Sequence, residues 1–205
     1  MDGRESVVRV LGIVCSPREK GNTEIMVKEA LSAASGLGAE TELAPVAGKT
    51  IAPCDACDGC RKTGDCRIED DMQPIYEQMD RADAFIFGTP VYLLNVSAQA
   101  KIIMDRTYAC LWTPKPRLAR KVAAPVVTAR RLGAGQVLGL LNGFFAAHEM
   151  VTARFAVGYG LRKGEVTDGA GALPGRQALE EARSAGASVV RLAEQLASSG
   201  EEPLR

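Results

Sequence analysis

The chain has 205 residues, 46% of them hydrophobic, and its 25 lysines and arginines are balanced by 25 aspartates and glutamates. That length supports one domain with a substantial core, and the missing basic excess argues against a general nucleic-acid or membrane-surface binder. No apolar run is long enough for a bilayer and residues 1–6 lack the apolar core of a signal peptide, so a cytoplasmic location is expected.

Apolar runs rich in β-branched residues alternate with longer helical patterns. Residues 7–14 read as a first strand. A helix follows over 23–37, with Ile25, Met26, Ala30, Leu31 and Ala34 on one side. Residues 41–46 make a short second strand, and a cysteine-rich insert covers about 52–67. Asp70 reads as the N-cap of a helix that tolerates Pro74 in its first turn and turns Met72, Ile75, Tyr76 and Met79 inward. Residues 84–88 form a buried strand, 97–109 a helix, 122–128 a strand, 136–149 a helix and 152–157 a last strand. Residues 157–174 read as a glycine-rich surface loop, 176–197 as a closing helix and 198–205 as a mobile tail. Five strands alternating with helices imply an α/β fold: a parallel sheet covered on both faces. Right-handed crossovers favour a doubly wound arrangement in the flavodoxin-like order 2-1-3-4-5.

Cys54, Cys57, Cys60 and Cys66 are spaced C-x2-C-x2-C-x5-C. In a reducing compartment such clusters serve metals or redox chemistry rather than disulfides. Two-residue gaps let a short loop bring four thiolates to one [4Fe–4S] cluster. A tetrahedral zinc site and free, redox-active thiols are the alternatives. Arg61, Lys62 and Arg67 would ease the negative charge of a thiolate-bound cluster, or are solvated loop charges. Cys15 and Cys110 read as inert, small hydrophobes. His148, the one histidine, reads as a capping or surface group, and Trp112 as a flavin shield, an interface residue or a loop anchor.

In such sheets ligands bind at the carboxyl ends of the strands. The first end, residues 15–23, is neither a Walker A loop nor a dinucleotide turn. Its Ser16, Arg18, Asn22 and Thr23, with the first amides of the following helix, suit one terminal phosphate, as in FMN. The bland alternative is an ordinary turn with Thr23 as N-cap. A second end, residues 88–97, offers Pro90 to fix the chain, Tyr92 to stack on a flavin ring and backbone amides over 93–96. Here Tyr92 as a half-buried aromatic and Asn95 as a helix cap are the alternatives. A third end, residues 128–136, supplies glycines and donors across the same crevice.

Together these stretches resemble the flavodoxin-like NADPH-dependent FMN reductases, and with the cysteines the iron–sulfur flavoproteins among them. The matching segments are Ser-Pro-Arg-x-x-Gly-Asn-Thr at 16–23, the cysteine motif, Asp70-Asp71-Met72, Pro90-Val91-Tyr92, Ser97-Ala98-Gln99-x-Lys101, Asp105-Arg106 and Arg-Arg-x-Gly at 130–133. The resemblance implies a single FMN-binding domain over 1–205 and a flavin-dependent oxidoreductase. Ser16, Arg18, Asn22 and Thr23 would hold the phosphate. Pro90, Val91, Tyr92, Leu93, Asn95 and Val96 would line the ring, with Arg130 and Gly133 opposite, and the four cysteines would bind a [4Fe–4S] cluster. It further implies a homodimer or a tetramer of dimers, electrons from a ferredoxin-type donor or NAD(P)H, and a small-molecule acceptor. A cluster-free FMN, quinone or azo reductase and a non-catalytic electron carrier or redox sensor are the rival functions.

Overall fold

A period-two alternation builds the sheet. In β1 (Arg9–Val14), Val10 and Val14 face one layer while Leu11 and Ile13 face the other. β3 (Ala84–Tyr92) divides Ala84 and Ile86 from Phe85 and Phe87, and β5 (Val122–Ala129) divides Val122, Ala124 and Val126 from Ala123 and Val127. Strands covered on both faces read as continuous apolar runs. β2 (Glu40–Pro45) is the edge, and its first three residues are exposed. The computed structural model describes residues 7–112, 116–168 and 176–199, so residues 200–205 of the expected tail and 169–174 of the expected loop lie outside the described residues.

The strand order β2-β1-β3-β5 is parallel throughout and matches the flavodoxin-like expectation. The strand count does not: seven strands are described where five were expected. The segment 152–157 is split into β6 (Val151–Thr152) and β7 (Ala156–Tyr159), both parallel to β5. Between them the Arg154 amide turns to Ser188 Oγ at 3.4 Å and leaves the ladder. The other addition, β4 (Asn95–Val96), folds back antiparallel on the end of β3.

One face is covered by α1 (Asn22–Ser35) and α6 (Arg176–Ser198), the other by α3 (Met72–Arg81), α4 (Ala98–Arg106) and α5 (Ala134–Ala147). A single turn, α2 (Cys60–Thr63), lies inside the cysteine loop. The expected helix 97–109 tightens after Arg106 into a 3₁₀ turn, Thr107–Leu111, where the Thr107 hydroxyl donates to Met104 O at 2.7 Å. Asp71, not Asp70, occupies the cap position of α3, although Asp70 Oδ1 still accepts the Met72 amide at 3.0 Å. At its other end, Lys121 Nζ donates to the carbonyls of Met79, Asp80 and Ala82 at 2.7–2.8 Å, which suits a cation at a helix C-terminus. Asp168 caps α6 through the amides of Gln177 and Ala178. Among the described residues no helix is long and apolar enough to cross a membrane.

His148 is buried, not superficial, with 3% of its surface exposed. Because the Thr107 hydroxyl is donated to Met104 O, His148 Nε2–H donates to Thr107 Oγ1 at 3.0 Å, and Nδ1 has no partner. Burial holds its pKa down at about 4, below the ordinary value of 6.5. The unfolded chain therefore binds the extra proton first, and stability present above about pH 6.5 is lost as pH falls toward 4. Replacing His148 by Gln should flatten the fall of the urea midpoint between pH 6.5 and 5; an identical slope in both proteins would assign the effect to other groups.

α6 approaches α1 closely at Gly186, where an added Cβ would stand 1.9 Å from Ala30 O. Gly186→Ala should cost about 2 kcal/mol through overpacking. Gly139→Ala on α5, where a Cβ meets nothing within 4 Å, should gain up to ~1 kcal/mol of helix propensity. Equilibrium unfolding of both variants checks the pair.

Candidate functional site

The carboxyl ends of β1, β3, β5 and β7 converge on a cleft of about 460 Å³, within the size range of small-molecule sites. β1 delivers Ser16 and Arg18, and α1 begins with Asn22 and Thr23. β3 delivers Pro90, Val91, Tyr92 and Leu93, β5 delivers Thr128, Ala129 and Arg130, and the segment after β7 brings Gly160, Leu161 and Lys163. Arg18, Arg130 and Lys163 are the charges in this wall, and no carboxylate joins them.

Gly21 caps α1 without a side chain, so no side-chain oxygen takes the first-turn amides. Such an uncapped helix N-terminus is a ready anion site. Glu24 is turned away from it: its carboxylate accepts the Lys20 amide at 2.6 Å and pairs with Lys28. The Lys28 bond, aided by the Lys20 amide, outweighs burial and holds its pKa below the ordinary carboxylate value. Thr23 Oγ1 and Thr128 Oγ1 are 2.7 Å apart and stitch α1 to the end of β5. Ser16 Oγ accepts the Arg18 amide at 3.2 Å and so shapes the loop.

The same cleft also has an apolar stretch of wall. Leu93 and Leu94 form a two-residue turn between β3 and β4 with φ of 47° and 63°. Tight hairpins of this hand normally use Asn-Gly, and a left-handed residue with a branched side chain costs about 1 kcal/mol. The strain sets Leu93 fully exposed at the mouth, beside half-exposed Tyr92 and Leu161. Cations in the same wall as an apolar, aromatic stretch suit a ligand with an anionic group and a flat, poorly hydrated one.

Not every expected residue lies in this wall. Asn22 does, but its amide donates to Arg162 O at 3.0 Å and Glu165 O at 2.8 Å, and its Oδ1 accepts the Gly164 amide at 2.7 Å. It pins the 162–165 segment beside the cleft. Asn95 accepts the Val96 amide, Val96 is buried, and Gly133, with φ of 94°, packs below Val91 and Leu94. None of these three is among the lining residues. Gly160, Leu161 and Lys163 went unrecognised as cleft residues because no local pattern marks a loop that folds back over the cleft.

The four cysteines meet at a second cleft, walled also by Asp55, Arg67, Arg106, Tyr108 and Ala109. Cys54 and Cys57 are exposed, Cys60 and Cys66 half-buried, and none is in a disulfide. Ala56 and Asp58, the residues between them, both have φ of 55°, a left-handed conformation that non-glycine residues hold only when the surroundings impose it. Burial, reinforced by charge on Cys66, Cys54 and Cys57, raises the Cys60 pKa. Among the described residues, no three His, Cys, Asp or Glu side chains are drawn into a metal-holding group. The donor set, four thiols around one cleft, nonetheless suits a thiolate-bound iron–sulfur group. By contrast Cys15 and Cys110 are buried in the core, their thiols pushed up by desolvation, Cys110 to about 12.

Arg106 closes the base of this loop. Its terminal nitrogens bind both oxygens of Asp70 and the carbonyls of Ala52 and Ile68, which flank the cysteines. Asp70 in turn accepts the Ala52 amide at 2.8 Å. Against burial, the Arg106 bond and these amides hold the Asp70 pKa below the ordinary value. Above the loop Arg61 lies 4.4 Å over the Trp112 ring, which meets Tyr108 edge-on. Trp112 thus belongs to the cysteine side, and Arg67 pairs with Asp55.

The Gly164 amide provides a test of the Asn22 clamp. Asn22→Ala should speed its hydrogen exchange about tenfold, the value of one hydrogen bond; unchanged protection would mean the loop holds itself.

The sequence model of a family described as NADPH-dependent FMN reductase matches residues 8–160. An iron–sulfur flavoprotein of Methanocaldococcus jannaschii is 38% identical over 151 residues, covering 70% of this chain and 75% of that protein. One of Archaeoglobus fulgidus is 34% identical over 162 residues, covering 78% and 73%. The crystal structure of RosB with a bound intermediate, 8-demethyl-8-formylriboflavin-5'-phosphate, superposes with a TM-score of 0.75 at 20% identity, covering 95% of this chain and 82% of that one.

Proposed function

The chain belongs to the NADPH-dependent FMN reductase family and, within it, to the iron–sulfur flavoproteins, and from that premise we propose that it carries FMN in the first cleft and a [4Fe–4S] cluster on the cysteine loop. It is a flavin-dependent oxidoreductase. The observation that carries the FMN reading is the mixed lining of the cleft: three cations and an uncapped helix start share it with Pro90, Tyr92 and Leu93, and no carboxylate does so among the described residues.

Bound there, the flavin supplies electron exchange with donor and acceptor, and the cluster supplies single-electron transfer. The protein's part is to hold and to screen. Arg18, Ser16 and the first amides of α1 take the phosphate, with Thr23 fixing the helix against Thr128 and Asn22 fixing the loop that brings Lys163. Pro90, Val91, Tyr92 and Leu93 flank the ring and exclude water from one side of it. Arg130 faces the ring from the β5 side. Cys54, Cys57, Cys60 and Cys66 ligate the irons, and the Arg61–Trp112–Tyr108 stack shields the loop. Electrons enter from a ferredoxin-type donor or NAD(P)H and leave to a small acceptor, in a homodimer or a tetramer of dimers.

The rival is the cluster-free reductase, in which the same cysteines remain free thiols. Iron, sulfide and flavin per chain after anaerobic purification decide between the two. Roughly four irons and four sulfides per FMN support the cluster, and Cys57→Ala should then lose the cluster while keeping FMN. Flavin without iron would leave the plain reductase. Arg18→Ala should weaken FMN binding by about tenfold, the worth of a charge-assisted contact; equal affinity by flavin fluorescence would place the phosphate elsewhere.

A further inference from the structure

Arg106 is 2% exposed, and the demands of its guanidinium are not all met. Nη1 donates to Ala52 O at 2.9 Å and to Asp70 Oδ2 at 2.7 Å, while Nη2 donates to Ile68 O and to Asp70 Oδ1, each at 3.1 Å. Nε has no acceptor. Leaving a buried donor unpaired costs about 1–3 kcal/mol, and more when it is charged. The charge itself is secure: burial opposes it, but the Asp70 bond, with Tyr76 and Cys66, more than compensates and raises the pKa.

The Arg106 side chain lines the cleft shared by the four cysteines. The Asp70 carboxylate and the two carbonyls that reach the guanidinium are taken by its terminal nitrogens, and the neighbouring Tyr76 hydroxyl donates to Arg106 O at 2.6 Å. What this cleft adds is sulfur. An iron–sulfur group carries its negative charge on sulfur, and hydrogen bonds to those sulfurs set its reduction potential.

We propose that Arg106 Nε–H donates a hydrogen bond to a sulfur of the iron–sulfur group held by Cys54, Cys57, Cys60 and Cys66, and that Asp70 is the positioning residue that orients it. The proposal rests on the cluster reading above. A cationic donor at that sulfur favours the state with one more electron, so Arg106 raises the potential of the cluster. The same guanidinium braces both ends of the loop, which ties the geometry of the ligands to the group that tunes them.

The test uses the whole chain, labelled with ¹⁵N-arginine and loaded anaerobically with iron and sulfide, then reduced by one electron with dithionite. Electron–nuclear double resonance should detect a guanidinium nitrogen coupled to the cluster. Arg106→Lys keeps the cation but lacks Nε–H. It should lose the coupling and shift the reduction equilibrium about tenfold toward the oxidised form, ~59 mV more negative for one electron. A loaded wild-type cluster without nitrogen coupling overturns the proposal, as does a variant whose potential is unchanged. Should that variant fail to load, Arg67→Lys, which removes the other guanidinium lining the cleft, should keep the coupling; its loss there overturns the proposal. A wild-type chain that takes up no iron at all instead removes the cluster reading, and the proposal with it.

Discussion

The parallel pairing of β1 with β2 on one side and β3 on the other is the constraint on which the rest depends. From β1 the chain leaves upward into α1, while neighbouring connections depart to opposite faces of the sheet. A crevice must open where they part, at the carboxyl ends of the strands. That position delivers the bare N-terminus of α1, the end of β3 and the end of β5 to one place. The covering layers follow from the same alternation: α1 and α6 take the valine face, while α3, α4 and α5 take the face of Phe85 and Phe87.

The two clefts share a rigid strut. α4 starts at Ser97, whose hydroxyl donates to Cys15 O at 2.6 Å, just past β1, and accepts the Ala100 amide. It ends at Arg106, under the cysteine loop. Nine residues of α-helix span ~14 Å. The buried ion pair at one end and the buried hydroxyl at the other hold that helix at both ends. α4 is thus fixed at one end to the chain just past β1 and at the other to the base of the cysteine loop.

Much of this was legible in the sequence because it is local or periodic. Strand runs such as 84–88 and 122–128 announce burial on both faces, and the cysteine spacing announces a loop whose four thiols line one cleft. What stayed hidden is non-local. Asn22 belongs to a loop 140 residues away in sequence, and nothing beside it says that its amide is engaged there. The last strand reads as one because its composition is uniform, yet the Arg154 amide is drawn to Ser188 on α6. His148 looks like a helix end and is one, but its burial is decided by Thr107 and by the edge-on ring of Phe144. Arg106 is similar: the sequence marks it only as part of a family motif, while its role comes from carbonyls 54 and 38 residues upstream.

That last arrangement has a consequence for how the protein is made. In small zinc modules the metal is the core, and the polypeptide orders only around it. Here the ends of the cysteine loop are already fastened at Ala52 and Ile68 by a side chain rooted in the main fold. The entropy of closing that loop is met during folding of the sheet, so its ends are set before the thiols take any ligand. The fold of the polypeptide is thereby separated from whatever the thiols later hold. With nothing on its thiols, the loop is still closed at its base.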